Sequence, residues 1–207
     1  MKRFLLALLS LILCLSFSGC MGAFSLGGGV TAPPEGSEPE KIESSVPSSA
    51  ISEERIRELV EENLYCMGEI FTLSSLPHAD EPLYDMVYPV DEGIFASYET
   101  FEIYLRSVYA KEYAELLLYD MPFEGDPKYI DVDGKLCVNM LYDAGMGYYV
   151  VWDDYTFEIV SQNEDSCKVI LHAQIEEPAV VPTLEPYDVE VTFVKEGESW
   201  LLSEMFS

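Results

Sequence analysis

The feature that most constrains the fold is a change of hydrophobic period partway along the chain. Up to Leu118 apolar residues recur every three or four positions, and beyond Lys128 they recur every second position. The first spacing places them on one stripe of a helix, the second on one face of a strand. Between Ile51 and Thr72, Ile56, Leu59, Val60, Leu64, Met67, Ile70 and Phe71 share a helical face, with Glu54, Glu58, Glu61 and Glu62 opposite. Ser52 is placed to cap this helix, and Glu53 and Glu54 fall in the first turn, where the helix dipole favours carboxylates. Asn63 interrupts the apolar stripe, so burial obliges it to find hydrogen-bond partners. Pro77 ends the segment.

A second helical stretch runs from Ser97 to Leu118, with Ser97 as cap and Phe101, Tyr104, Leu105 and Val108 as its stripe. Tyr113, Ala114, Leu116 and Leu117 restart the pattern, which predicts a break near Ala110-Lys111. The segment Asp120–Pro127, with two prolines and Gly125, reads as a loop. Lys128–Val132 and Lys135–Tyr142 then flank Asp133-Gly134, a hairpin signal. Tyr148–Trp152 and Tyr155–Ser161 read as two strands parted by Asp153-Asp154. Cys167, Val169, Leu171, Ala173 and Ile175 alternate in the next strand; Tyr187, Val189, Val191 and Phe193 do so in the one after. Glu196-Gly197 turns the chain into a last strand, Trp200–Phe206. Helices first and antiparallel strands afterwards predict an α+β fold, with the N-terminal helices packed on one face of a curved antiparallel sheet.

The residues before this pattern have a different character. Lys2 and Arg3 precede an apolar run, Phe4–Phe17, and Ser18-Gly19 deliver the chain to Cys20. That is the order of a bacterial signal peptide over residues 1–19, with a run shorter than the ~20 residues that span a bilayer. A cysteine directly after the small pair reads as a lipobox, in which cleavage leaves an acylated Cys20 as the new N-terminus. Phe17 stands where such motifs usually carry Leu, which keeps ordinary secretion as the alternative. Residues 20–50 are rich in Gly, Ser and Pro and hold too few large apolar residues to repay ordering, so they read as a disordered linker. Residues 51–207 suffice for one core and read as a single domain. The location implied is extracytoplasmic, on the membrane through the lipid alone or, without acylation, secreted.

Loss of the leader takes the formal charge from −27 to −29. So acidic a surface repels phosphate backbones and anionic headgroups, which argues against nucleic acid or direct bilayer docking. It accelerates encounter with a basic partner, and it also serves simple solubility. Past Cys20 only Cys66, Cys137 and Cys167 are present. An odd number makes no complete disulfide framework; buried thiols are the favoured reading and a Cys137–Cys167 bridge the alternative.

Catalytic groups are sparse. His78 lies in a loop, and strand parity turns His172 away from Cys167 and Leu171 toward Lys168 and Gln174. Cys66 sits on the edge of the helical stripe, without the cation or helix N-terminus that activates a thiolate. Asp131-Val132-Asp133-Gly134 resembles the start of a calcium loop, yet the twelfth position falls on Tyr142 where an acid is required. No Cys or His pair has zinc spacing. Asp153-Asp154 and Glu176-Glu177 read as solvated acids and not as a glycosidase pair. No Gly-rich segment joins a strand to a helix, and Gly145-Met146-Gly147 reads as a turn. The sequence thus predicts no metal, no cofactor and no enzyme. It offers instead aromatic residues beside acids as contact candidates: Tyr148, Tyr149 and Trp152 with Asp153 and Asp154, and Tyr84 and Tyr88 near Asp85.

The order of these parts resembles a known family. Ser97-Tyr98-Glu99-Thr100-Phe101-Glu102-Ile103-Tyr104-Leu105 leads into Tyr113-Ala114-Glu115-Leu116-Leu117, then the hairpin Tyr129-Ile130-Asp131-Val132-Asp133-Gly134-Lys135-Leu136, then Gly145-Met146-Gly147. Over Glu53–Ile159 this resembles the IseA-type secreted bacterial inhibitors of D,L-endopeptidases, the NlpC-type hydrolases that cut peptidoglycan stem peptides. The resemblance implies a non-catalytic protein whose partner is such a hydrolase, and it assigns no inhibitory residue. The final hairpin, Val189–Phe206 around Trp200, is similar to the end of nuclear-transport-factor-like cone folds. That similarity implies the alternative, a lipoprotein binding module for a small molecule or another envelope protein.

Overall fold

The first helix begins where the sequence places it. In the computed structural model, which describes residues 50–72, 74–142, 150–177 and 183–207, Ser52 Oγ accepts the Arg55 N–H at 3.1 Å and starts α1, Glu53–Tyr65. The helix continues as a π-helical turn, Cys66–Phe71. Its apolar stripe is buried, and Asn63 with it. The second stretch divides as expected into α2, Tyr98–Val108, and α3, Lys111–Tyr119. A reciprocal capping box between Ser97 and Thr100 opens α2. The break after Val108 has a tertiary reason. Tyr109 turns extended, and the Ala110 N–H donates to the Leu202 carbonyl at 2.7 Å instead of continuing the helix.

In chain order the strands are β1 (Val87–Pro89), β2 (Pro122–Phe123), β3 (Asp126–Pro127), β4 (Tyr129–Val132), β5 (Lys135–Asn139), β6 (Val150–Gln162), β7 (Ser166–Glu177), β8 (Thr183–Glu196) and β9 (Ser199–Leu202). Every pairing between these strands is antiparallel, so the class is α+β with the helices ahead of most strands. The strands do not form one sheet. β1-β5-β4 make a three-stranded sheet, β2 and β3 a ribbon, and β6-β7-β8-β9 a four-stranded sheet. Asp133 and Gly134 both adopt positive φ, 54° and 84°, in the β4–β5 turn, the conformation that the Asp-Gly pair predicts.

Three expectations are corrected. Asp120–Pro127 is not a plain loop, because Pro122–Phe123 and Asp126–Pro127 pair within it as the β2–β3 ribbon. Tyr148–Trp152 and Tyr155–Ser161 are not separate strands around an Asp153-Asp154 turn; from Val150 onward they belong to the single strand β6. The long strand β7 offers ladder partners on both sides of the acidic pair, so the surplus residues bulge and do not reverse the chain. The last strand stops at Leu202, short of Phe206, because the terminal residues leave the sheet for α1. There Asn63 Nδ2 donates to the Phe206 carbonyl at 2.9 Å, while Asn63 Oδ1 accepts the Phe206 N–H at 3.2 Å and the Tyr109 hydroxyl at 3.0 Å. The partners that a buried Asn63 demands are therefore the backbone of the C-terminus and one tyrosine.

The core lies between the helices and the inner face of the four-stranded sheet, where Cys167, Val169, Leu171, Val191 and Phe193 are buried. Arg57 of α1 stands over the Phe157 ring of β6 at 4.8 Å and ties the helix to that sheet. Phe71, Phe101 and Tyr129 form an aromatic cluster linking the π-helical turn and α2 to β4. The described residues fall within one compact unit, and no helix among them is long and apolar enough to cross a membrane. The leader, Cys20, the linker up to residue 49, and Gly145, Met146, Gly147, Tyr148 and Tyr149 lie outside the described residues.

Candidate binding site

The register of β6 against β7 sets the geometry of one candidate surface. Val151 pairs with Gln174 and Thr156 with His172, so Trp152, Asp153, Asp154 and Tyr155 together stand opposite the single residue Ala173. A bulge of this kind re-aims side chains. Trp152 turns onto Tyr155 and Phe206, with ring centroids at 6.2 and 5.7 Å, and is half-buried. Asp153 and Asp154 are exposed. The predicted contact residues among those described thus divide: the tryptophan braces the C-terminus, and the two acids face solvent.

Beside the bulge is a cleft of about 320 Å³ lined by Val151, Asp154, His172, Ala173 and Gln174. His172 stands on the outer face beside Lys168 and Gln174, as parity predicts. Its Nδ1 lies 2.7 Å from Asp188 Oδ1 on β8, and Lys168 Nζ lies 2.7 Å from Glu190 on the same face. An ionised carboxylate only accepts hydrogen bonds, so Nδ1 carries the shared proton; Nε2 is then an acceptor when the ring is neutral and a donor when it is protonated.

A second surface is the turn before β1. The Leu83 N–H donates to the Val87 carbonyl at 2.8 Å, and the Val87 N–H donates to the Tyr84 carbonyl at 2.9 Å. Asp85 at the tip has φ +43°, a conformation uncommon outside glycine but tolerated by Asp. The turn leaves Leu83, Tyr84 and Met86 exposed at 48%, 51% and 40%. Around them, Ala79–Ala96 carries Asp80, Glu81, Asp85, Asp91 and Glu92 and no base. Of the predicted pair only Tyr84 projects, because Tyr88 stacks on His78 at 5.1 Å. Exposed Leu141 follows Met140, whose N–H donates to the Met86 carbonyl at 2.9 Å. Sequence alone marks Tyr84 but not Leu83 or Met86, because these residues follow neither helical nor strand period.

The remaining reactive groups hold structure. Cys66, Cys137 and Cys167 are free and buried. Burial pushes the Cys66 thiol up to about 12, which keeps it protonated and a poor nucleophile at neutral pH. It lies 3.5 Å from the Tyr104 hydroxyl, which donates to Glu62 at 2.5 Å. Burial likewise raises the Tyr104 and Tyr109 phenols. Buried Lys128 donates from Nζ to the Phe71 carbonyl at 3.2 Å and the Ser74 carbonyl at 2.8 Å, placing its charge at the C-terminal end of the π-helical turn. Beside it an open cavity of about 370 Å³ is lined by Phe71, Thr72, Met121, Pro122, Tyr142 and Met205. Among the described residues no three His, Cys, Asp or Glu side chains are grouped to hold a metal ion. No protein-family model matches the chain, and no curated protein matches it.

Proposed function

We propose that the chain is a membrane-tethered, extracytoplasmic binding protein that restrains a peptidoglycan D,L-endopeptidase by occluding its active-site groove. The observation that carries this reading is the turn Leu83–Val87, which presents Leu83, Tyr84 and Met86 to solvent within an acidic, base-free stretch. Apolar side chains held out by a hydrogen-bonded turn suit a protein contact, since little entropy is lost when they dock. The surrounding carboxylates steer a basic partner toward them. The choice of endopeptidase rests on the resemblance of Glu53–Ile159 to IseA-type inhibitors, whose matching segments here form α2, α3 and the β4–β5 hairpin. Cys20 and the linker would hold the domain at high local concentration where wall enzymes leave the membrane.

The test is muropeptide release by a purified D,L-endopeptidase with increasing amounts of the chain. Inhibition at roughly micromolar or lower concentration, weakened by salt, is expected. Tyr84→Ala combined with Met86→Ser should weaken it at least about tenfold without altering the fold. Release that is unchanged at saturating chain sinks the reading for that enzyme. The second reading, a small-molecule module of the cone-fold kind, is favoured by the cavity beside Phe71, Met121 and Met205. A solvatochromic apolar probe whose binding is abolished by Met121→Trp would select it.

A further inference from the structure

The cleft beside the β6 bulge has no role in the occlusion reading, and its lining has a definite chemistry. Three groups that can accept hydrogen bonds line it: the Asp154 carboxylate, the Gln174 amide oxygen and, in the neutral ring whose Nδ1–H is engaged by Asp188, His172 Nε2. The side chains of Asp154 and Gln174 make no hydrogen bond or ion pair among the described residues. Val151, opposite Gln174 on the same face, supplies an apolar wall. A primary alkylammonium group has three N–H donors on a compact positive charge, carried by an apolar stem that packs along aliphatic surface. The two sets match in number, sign and order. The volume, about 320 Å³, stands at the small end of ligand sites, which begin at about 300 Å³. A divalent metal fits less well, since no group of three ligating side chains is assembled among the described residues.

We propose that this cleft binds a primary alkylammonium group of the lysine side-chain type, with Asp154 as counter-ion, His172 Nε2 and Gln174 as further acceptors, and Val151 against the stem. Asp188 acts through His172, selecting in the neutral ring the tautomer whose Nε2 is an acceptor. The register break is what makes the site, because a regular ladder would set Asp154 within the pleat and close the space over Ala173.

The experiment is a titration of the ¹⁵N-labelled full chain with Nα-acetyl-lysine methylamide at low salt, followed by amide chemical shifts. Saturable shifts confined to residues around Asp154, His172 and Gln174 are expected, with an affinity on the order of millimolar for a single solvent-facing charge. The same probe acetylated on Nε should lose the response, as it lacks the charge and two of the donors. Asp154→Asn should weaken binding about tenfold while leaving the remaining spectrum in place. Equal shifts from the Nε-acetylated probe, shifts that never saturate, or a response at these residues to zinc ions but not to the amine would each overturn the assignment. Loss of this site would leave the endopeptidase reading standing, since the Leu83–Val87 turn is not part of the cleft.

Discussion

Replacing Asn63 by leucine tests the claim that one buried amide fixes the C-terminus. The substitution keeps the number and branching of side-chain heavy atoms, so no cavity opens and the cost comes mainly from hydrogen bonding. Asn63 serves the Tyr109 hydroxyl, the Phe206 N–H and the Phe206 carbonyl. If the C-terminus stays in place, three buried polar groups lose their partner, at about 1–3 kcal/mol each. If residues 205–207 swing out instead, the backbone groups of Phe206 regain water. The ring then gives up its burial, worth about 1.5–3 kcal/mol, and Tyr109 is still left without its acceptor. The first route costs about 3–9 kcal/mol and the second about 2.5–6 kcal/mol, so a loss of at least about 2.5 kcal/mol is expected. Tyr109→Phe should cost only about 1 kcal/mol, because Asn63 keeps both bonds to Phe206. Urea unfolding followed by circular dichroism gives the stabilities. Trp152 packs on Phe206, so the second route also shifts tryptophan emission to the red in the folded variant. An Asn63→Leu chain within about 1 kcal/mol of the parent would refute the reasoning, since that is the spread of ordinary substitutions.

Alkaline pH probes the buried thiol. Cys66 ionises at an ordinary 9.0 when unfolded and at about 12 when folded, so stability is whole below about pH 9 and falls as pH rises toward 12, by at most ~1.4 kcal/mol per pH unit. The raised Tyr104 and Tyr109 phenols act in the same direction from about pH 10. Urea midpoints at pH 7 to 11 should therefore decline, and Cys66→Ala should flatten the limb just above pH 9; an unchanged limb would contradict the assignment. At the tip of the exposed turn, Asp85→Val should destabilise by about 1–2 kcal/mol through its positive φ, whereas Asp85→Gly should not destabilise. Equal stability of those two variants would show that the turn relaxes to another conformation.

The period of the sequence determined the elements. Both helical stretches, the Ser52 and Ser97 caps, the break near Ala110, the Asp133-Gly134 hairpin and the inner faces of β7 and β8 were legible because each is dictated by neighbours a few residues away. Local physics also required a partner for Asn63, though not which one. What depends on pairing between distant segments was not legible. The register of β6 on β7 turned an expected Asp153-Asp154 turn into a bulge, set Trp152 against Phe206, and opened the cleft at His172. The division of the strands between sheets, and the exposed tip at Leu83–Met86, likewise follow from which ladders close. A ladder is chosen by summed long-range burial and hydrogen bonding, to which a single stretch of sequence contributes only one side. The fold class was therefore written in the chain locally, and both candidate surfaces were decided only when its strands came together.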